Sequence, residues 1–311
     1  MDELQWHLNR QKGIGGSDAS TVLGLNPWKS RLQLYHEKVD EITADKIDNN
    51  NIRFKLGNIL EPLIGECWSK KTGRIYEKRP IQIHPDYPFM IANIDGKIIK
   101  SDRKNPGILE MKTKGAFVDW KDEEIPPYYH SQIQHYMAVY NYQWGSFAIL
   151  DFNKFEVTIT DVERDDIFIE KLIEEERKFW KLVTDKTPPK IEPTKSCEEF
   201  LREYFDQAEP ITIDLTDNEI ATKFAEKLNH VKVHKKELEE VEIECKTFFM
   251  NELKEAEKAI GDGYTITWKN DKDGTKFDVD KFKLENPQIY KKYMMTKKGT
   301  RRFLSKFDKQ E

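Results

Sequence analysis

Two short stretches decide how this chain reads: Phe89-Met90-Ile91-Ala92-Asn93-Ile94-Asp95-Gly96 and, a little downstream, Gly107-Ile108-Leu109-Glu110-Met111-Lys112-Thr113. Each is a brief apolar run, of the length and composition of a buried strand, that delivers a carboxylate at its end. Alternation along a strand puts Glu110 and Lys112 on one face and Met111 on the other. Two carboxylates on neighbouring strands offer oxygen ligands suited to a hard divalent cation such as Mg²⁺. An ammonium beside them is placed to orient a water that attacks phosphorus. Taken alone, an Asp followed by Glu-x-Lys arises by chance in many charged proteins, and a solvated strand face is then the commoner reading.

The surroundings sharpen the pattern. Upstream, Gly57-Asn58-Ile59-Leu60-Glu61-Pro62 sets Glu61 inside an otherwise apolar helical face; downstream, Tyr129 to Tyr136 carries Gln132 and Gln134 along a helix. Periodicity predicts helices over 17–24, 30–39, 54–72, 128–141 and 165–183, and strands over 75–83, 89–99, 107–113, 147–151 and 155–162. That order suggests an α/β architecture with a mixed sheet, complete by about residue 187. The run Thr187-Pro188-Pro189 to Pro193 reads as a boundary. The expected division is a core over 1–190, a linker and long charged helix over 191–262, and a basic, aromatic segment over 263–311. Within Asn218–Ile260, apolar positions 220, 224, 228, 231, 238, 241, 245 and 248 resemble a coiled-coil seam interrupted by His234 and Glu252.

Charge is distributed unevenly. The 311 residues hold 51 Lys and Arg against 56 Asp and Glu, a net charge of -5. From Gly263 to Glu311 there are 13 basic and 7 acidic residues, so the first 262 residues are strongly acidic. An acidic body with a basic tail is compatible with a nucleic-acid partner. Between Tyr290 and Lys309, basic residues including Lys297, Lys298, Arg301 and Arg302 alternate with aromatics. This is the pattern either of a phosphate-tracking arm or of a solvated tail whose rings pack on the long helix. Cys67, Cys197 and Cys245 lie far apart, without a CxxC pair, which argues against a disulfide framework, a zinc ribbon or an iron–sulfur cluster. No apolar run approaches the ~20 residues of a membrane helix, and no signal-peptide core is present. A cytoplasmic protein is the expectation.

Near the N-terminus, Gly13-Ile14-Gly15-Gly16-Ser17 leads into a helix, with Ser17 or Asp18 as the expected N-cap. Its free N–H groups favour an anion. A dinucleotide fingerprint is not indicated, since no strand is predicted ahead of it. His230 and His234 stand one helical turn apart without a third ligand nearby and read as surface residues. Cys67 and Cys245 read as core or seam residues. Trp28, Trp120, Trp144 and Tyr136 read most simply as core; for Trp28 and Trp120, which lie next to Pro or charged turns, contact with DNA is the lesser alternative.

Glu61, Asp95, the Glu110–Lys112 pair and Gln132, in that order, form the signature of the PD-(D/E)xK nuclease fold, a mixed sheet flanked by helices. Gly15-Gly16-Ser17-Asp18, the GNILEP segment, the NIDG turn, LEMKT and HSQIQHYM closely resemble the YqaJ-type phage recombinases, relatives of lambda exonuclease, over roughly residues 6 to 183. The resemblance implies a Mg²⁺-dependent nuclease, with Mn²⁺ able to substitute and two ions held, that digests linear double-stranded DNA 5′→3′ and leaves 3′ overhangs for recombination. It implies Asp95, Glu110 and the Met111 carbonyl as metal ligands, with Glu61 a further acidic residue near the metals. Lys112 would activate or orient the water, and Gln132 would position it. Arg10 and Ser17 match in spacing the Arg and Ser that hold phosphate in the lambda enzyme; Asn93 stands where a serine can occur. A phage or prophage origin, a single-strand annealing partner and a ring-shaped homo-oligomer are implied in the same way. Two other readings compete: an endonuclease for branched or modified DNA on the same fold, and a DNA-binding or assembly protein without activity.

Overall fold

The computed structural model describes residues 3–42, 52–103, 106–115, 124–297 and 299–307. The chain divides into two compact units, one running to Tyr204 and the other beginning at Phe205. The first unit therefore reaches past the proline-rich boundary at 187–193. Helix α7 (Lys195–Tyr204) belongs to it, because its aromatics pack on α3 (Arg31–Val39): the His36 ring lies 4.3 Å from Tyr204 and 5.4 Å from Phe200.

The chain enters through α1 (Glu3–Gln11), the two-residue strand β1 (Ile14–Gly15) and the short helix α2 (Gly16–Val22). β1 pairs in parallel with β4 (Met90–Ala92), which pairs antiparallel with β3 (Gln82–Ile83). The glycine-rich stretch thus itself contributes a two-residue strand, and the element ahead of it is α1, not a strand. The N-cap of α2 is Gly15 rather than Ser17 or Asp18; Asp18 sits a turn inside, where its carboxylate accepts from the Gly15 N–H at 3.1 Å.

The main sheet runs β2 (Ile75–Glu77), β5 (Gly96–Lys100), β6 (Gly107–Lys114), β7 (Trp144–Asp151) and β8 (Glu156–Glu163). Neighbours are antiparallel except β6 and β7, which are parallel and joined through α5 (Pro127–Tyr140). A parallel pair requires such a crossover. The stretch expected as one strand over 89–99 is two, β4 and β5, in different sheets. Asn93 to Asp95 is the crossing between them, so Asp95 stands just ahead of β5 rather than closing a strand. The 75–83 stretch is likewise divided, since Pro80 interrupts it and Pro has no N–H for a ladder.

Both faces of the sheet are covered, the mixed sheet flanked by helices that the PD-(D/E)xK resemblance implies. On one side Ile108, Phe147 and Ile149 meet Ile133 and Met137 of α5 and Ile169 of α6 (Asp166–Thr184). On the other, Leu109, Met111, Ala148 and Val157 meet Ile64 and Trp68 of α4 (Ile52–Thr72). The alternation Ile108, Leu109, Glu110, Met111 thus turns Glu110 toward α5, buried at 2% exposure. Helix α4 runs continuously through Pro62. Trp68 donates its indole N–H to Ser146 at 3.0 Å, satisfying the polar atom of a fully buried ring. Trp144 and Tyr136 are core, as read from the sequence; Trp28 is 67% exposed, and Trp120 lies outside the described residues.

In the second unit, α8 (Glu219–Leu253) is capped by Asn218, whose side chain accepts from the Ala221 N–H at 3.0 Å. It stops seven residues short of the expected Ile260. Lys254 takes a positive φ of 47°, and β9 (Lys258–Gly261) then forms an antiparallel hairpin with β10 (Tyr264–Thr267). Two short helices follow, α9 (Val279–Glu285) and α10 (Pro287–Lys292). All three cysteines are free. Cys67 is half-buried, and Cys245 is exposed on α8. Among the described residues no helix is long and apolar enough to cross a membrane.

Candidate active site

The site is organised around Glu110. Its Oε1 accepts from the Lys112 ammonium at 2.6 Å and from the Gln132 amide at 2.6 Å. Its Oε2 is buried and has no hydrogen-bond partner among the described residues. Lys112 reaches Glu110 because residues two apart on β6 share a face. Gln132 reaches it because α5 crosses directly over that face. The same Gln132 amide donates to the Tyr136 hydroxyl at 3.1 Å, one helical turn on. Asp95, half-buried at the head of β5, accepts the Met111 backbone N–H through Oδ2 at 2.7 Å. That bond fastens Asp95 to β6 and turns the Met111 peptide toward it.

Electrostatics follow from burial. Desolvation, reinforced by the nearby charge of Asp95, pushes Glu110 up to about 8 despite the stabilising pull of Lys112. For Lys112, burial works against the charge, but Glu110 and Asp95 outweigh it and raise the ammonium above its ordinary value. Lys112 also lies 5.2 Å from the centre of the Tyr129 ring, a cation–π contact that fixes its direction. Burial, then the two carboxylates, raise the Tyr136 phenol well above its usual range, so it stays protonated.

A second cluster lies at the N-terminal turn. The Arg10 guanidinium, at the end of α1, donates to the Ser17 hydroxyl at 2.6 Å and to Asp18 Oδ1 at 3.0 Å. Lys38 of α3 donates to Asp18 Oδ2 at 2.8 Å and to the Arg10 carbonyl at 2.8 Å. Asp18 and Lys38 are both buried; burial raises the Asp18 carboxyl, but Lys38, Arg10 and Lys29 outweigh it and hold it well below the usual carboxylate range. Ser17 is exposed and Arg10 partly so, and both line a cavity of about 850 Å³ together with Lys29, Gln33 and His36. The two clusters meet through Tyr136: a Cβ at Gly16 would collide with its ring, so only glycine lets α2 lie against it.

The other expected residues are placed differently. Glu61 of α4 is engaged by the Lys78 ammonium, and among the described residues no group of three or more His, Cys, Asp or Glu side chains converges. Asn93 is exposed in the β4–β5 crossing. Gln134, two residues from Gln132 and so on another face of α5, is structural: it donates to the Glu163 carbonyl at 2.8 Å and accepts from the Asp165 N–H at 2.9 Å. His230 and His234 lie one helical turn apart with ring centres 6.2 Å from each other, and the His234 Nδ1 is 2.8 Å from the His230 carbonyl. In the tail, Arg301 donates to the Phe205 carbonyl at 2.9 Å, Lys297 and Arg302 are exposed, and Lys298 lies outside the described residues. Sequence reading assigned no role to Lys38, Tyr129 or the hydroxyl of Tyr136. The buried pair His135–Glu176, 2.8 Å apart, also went unread; His135 bonds the Ile91 carbonyl of β4 through its other nitrogen. The apolar periodicity around 133–137 gives only a buried position, not the polar partner waiting there.

Residues 5–143 match the YqaJ-like viral recombinase domain, which makes this a protein of the phage-recombinase type. The chain belongs to the YqaJ family. It is 32% identical over 303 residues, 94% of its own length and 91% of the relative's, to the uncharacterized protein YqaJ of Bacillus subtilis strain 168. Among solved structures it is similar to an alkaline exonuclease (LHK-Exo) from Laribacter hongkongensis, at 22% identity and TM-score 0.49, covering 64% of this chain and 97% of that one. A phage-related exonuclease from Haemophilus somnus 129PT is 13% identical at TM-score 0.40, covering 58% of this chain and 99% of that one.

Proposed function

We propose that this protein is a metal-dependent deoxyribonuclease that digests linear double-stranded DNA from its 5′ ends, leaving 3′ single strands for phage-type recombination. The observation that carries the reading is the orphaned Oε2 of Glu110. A buried carboxylate oxygen without a donor is costly unless a cation completes it; the charge of Asp95 is near enough to raise the Glu110 carboxyl, and Asp95 itself holds the Met111 N–H. Asp95, Glu110 and the Met111 carbonyl are the groups that would hold Mg²⁺ or Mn²⁺, hard cations that favour oxygen ligands. When bound, the metal would supply Lewis-acid polarisation of the phosphate and lower the pKa of water.

The chain's own residues do the rest. Lys112 carries only donors, and one N–H is committed to Glu110; among the described residues no other acceptor holds it, so the remaining N–H groups would orient the attacking water or the phosphate oxygens where negative charge builds. Gln132, on α5, holds the same oxygen of Glu110 as Lys112 does and takes its own direction from Tyr136. Arg10 and Ser17 supply a guanidinium and a hydroxyl to the lining of the neighbouring cavity, a donor set suited to a terminal phosphate. The 3′-ended strands so produced are what a single-strand annealing protein uses. The test is digestion of an end-labelled linear duplex and of a closed circle of the same DNA, each with Mg²⁺ and with EDTA. Shortening of the 5′-ended strand of the linear form in Mg²⁺ only, with the circle intact, supports the proposal. Cutting of the circle would replace the exonuclease with an endonuclease, and no cutting of either form would reject a nuclease.

A further inference from the structure

Helix α8 carries a seven-residue repeat that the proposed chemistry does not use. Phe224, Val231, Leu238 and Cys245 recur every seven residues. Ile220, Lys227, His234, Val241 and Phe248 form a second such row beside them, so the two rows make one stripe in coiled-coil register. Ile220, Phe224, Val231, Leu238, Val241 and Phe248 are each more than half exposed, and Cys245 is exposed too. The tail meets α8 off this stripe: Lys232, which holds the Ser305 carbonyl at 2.9 Å and the Phe307 ring, lies outside both rows. A helix of 35 residues is about 50 Å long, and an apolar stripe along it is a surface that folded proteins cover.

Charge identifies the cover. Ahead of residue 237 the helix carries Lys223, Lys227, Lys232, Lys235 and Lys236 against Glu219 and Glu226; from 237 onward it carries Glu237, Glu239, Glu240, Glu242, Glu244 and Glu252 against Lys246. One half is basic and the other acidic. Two parallel copies would set like charges side by side, whereas two antiparallel copies set each basic half on an acidic one. A two-fold axis near residue 236 then layers Phe224 on Phe248 and Val231 on Val241 of the other copy, and lays Lys227 beside Cys245 and Glu244. We infer that α8 pairs with α8 of a second copy of this chain as an antiparallel, isologous coiled coil.

Cysteine chemistry in the full-length protein tests both the pairing and its direction. Light scattering should give a mass that Leu238→Lys with Val241→Lys reduces by half; both positions are exposed, and far-UV circular dichroism checks that the helix remains. Under mild oxidation, Lys227→Cys should give a cross-linked dimer through Cys245 of the other copy, lost again in Lys227→Cys with Cys245→Ser. The wild type should give none through Cys245, which in antiparallel pairing faces position 227. A mass unchanged by the double Lys variant would overturn the pairing. Ready Cys245–Cys245 cross-linking in the wild type would overturn the antiparallel direction.

Discussion

At Glu110 three demands meet on one carboxylate: two donors on Oε1, burial of Oε2, and a like charge nearby at Asp95. Removing any member should therefore be felt in the chemistry before it is felt in the fold. Asp95→Ala and Glu110→Ala should abolish cleavage, and Lys112→Ala should lower it by about 10²–10³-fold, the usual loss for one electrostatic donor. Single-turnover digestion of a labelled duplex measures this, with a DNA-binding assay to show that the substrate still binds. Near-wild-type cleavage in all three variants would remove the assignment. Arg10 makes a separate case. If its guanidinium anchors a terminal phosphate, ends bearing 5′-phosphate should be digested faster than 5′-hydroxyl ends. Arg10→Ala should erase that preference; a charge-assisted hydrogen bond contributes about 1.5–3 kcal/mol, or roughly 10- to 150-fold. Equal rates on both kinds of end in the wild type would exclude the anchor.

At the level of elements, Asp18 ties α1, α2 and α3 together through Arg10 and Lys38. Asp18→Asn should cost about 3–5 kcal/mol, because it leaves the Lys38 ammonium buried without its counter-charge. The sign of the pH dependence follows from a depressed carboxyl. The contribution of Asp18 is fully present above its unperturbed value of 3.8 and is lost as pH falls below it toward the folded value. Melting temperatures of wild type and variant should thus differ most near neutrality and converge below about pH 4; a gap that widens in acid would contradict the pairing. These same elements show what a sequence discloses. Strand alternation was enough to put Glu110 and Lys112 on one face, and the spacing of Gln132 to put it on the helix that covers them. The break between β4 and β5 was not legible, because Asn93-Ile94-Asp95 is as compatible with a continuing strand as with a crossing between sheets. The buried partners Lys38 and Glu176 were hidden for a different reason. A charged residue in a charged helix reads as solvated until tertiary packing supplies its counter-ion. Glu61 shows the reverse, since its place in an apolar helical face says nothing of Lys78, which claims it.

Across the whole molecule the charge gradient sets up a further test. The acidic first 262 residues would repel DNA at long range, and the basic segment after Tyr290 supplies the opposing field. Deleting residues 290–311 should flatten the log–log salt dependence of DNA affinity by about 0.9 for each phosphate that the tail neutralises. Hydrolysis of a short, saturating substrate should change little, since no proposed ligand lies there. An unchanged slope in a folded truncation would make the tail structural, in keeping with the hold of Arg301 on the Phe205 carbonyl.

Strand β6 carries Glu110, Met111 and Lys112 as the middle member of the five-stranded sheet, with two strands on either side. Central strands open to solvent only when the whole domain unfolds. The amides of residues 108–112 should then be among the slowest to exchange with deuterium, at a rate set by global opening. Heat or urea should extinguish activity and native structure in a single transition. An enzyme built on a surface loop wears out piecemeal, whereas this arrangement makes inactivation an all-or-none event. A loss of activity well before the fold melts would place the critical chemistry elsewhere.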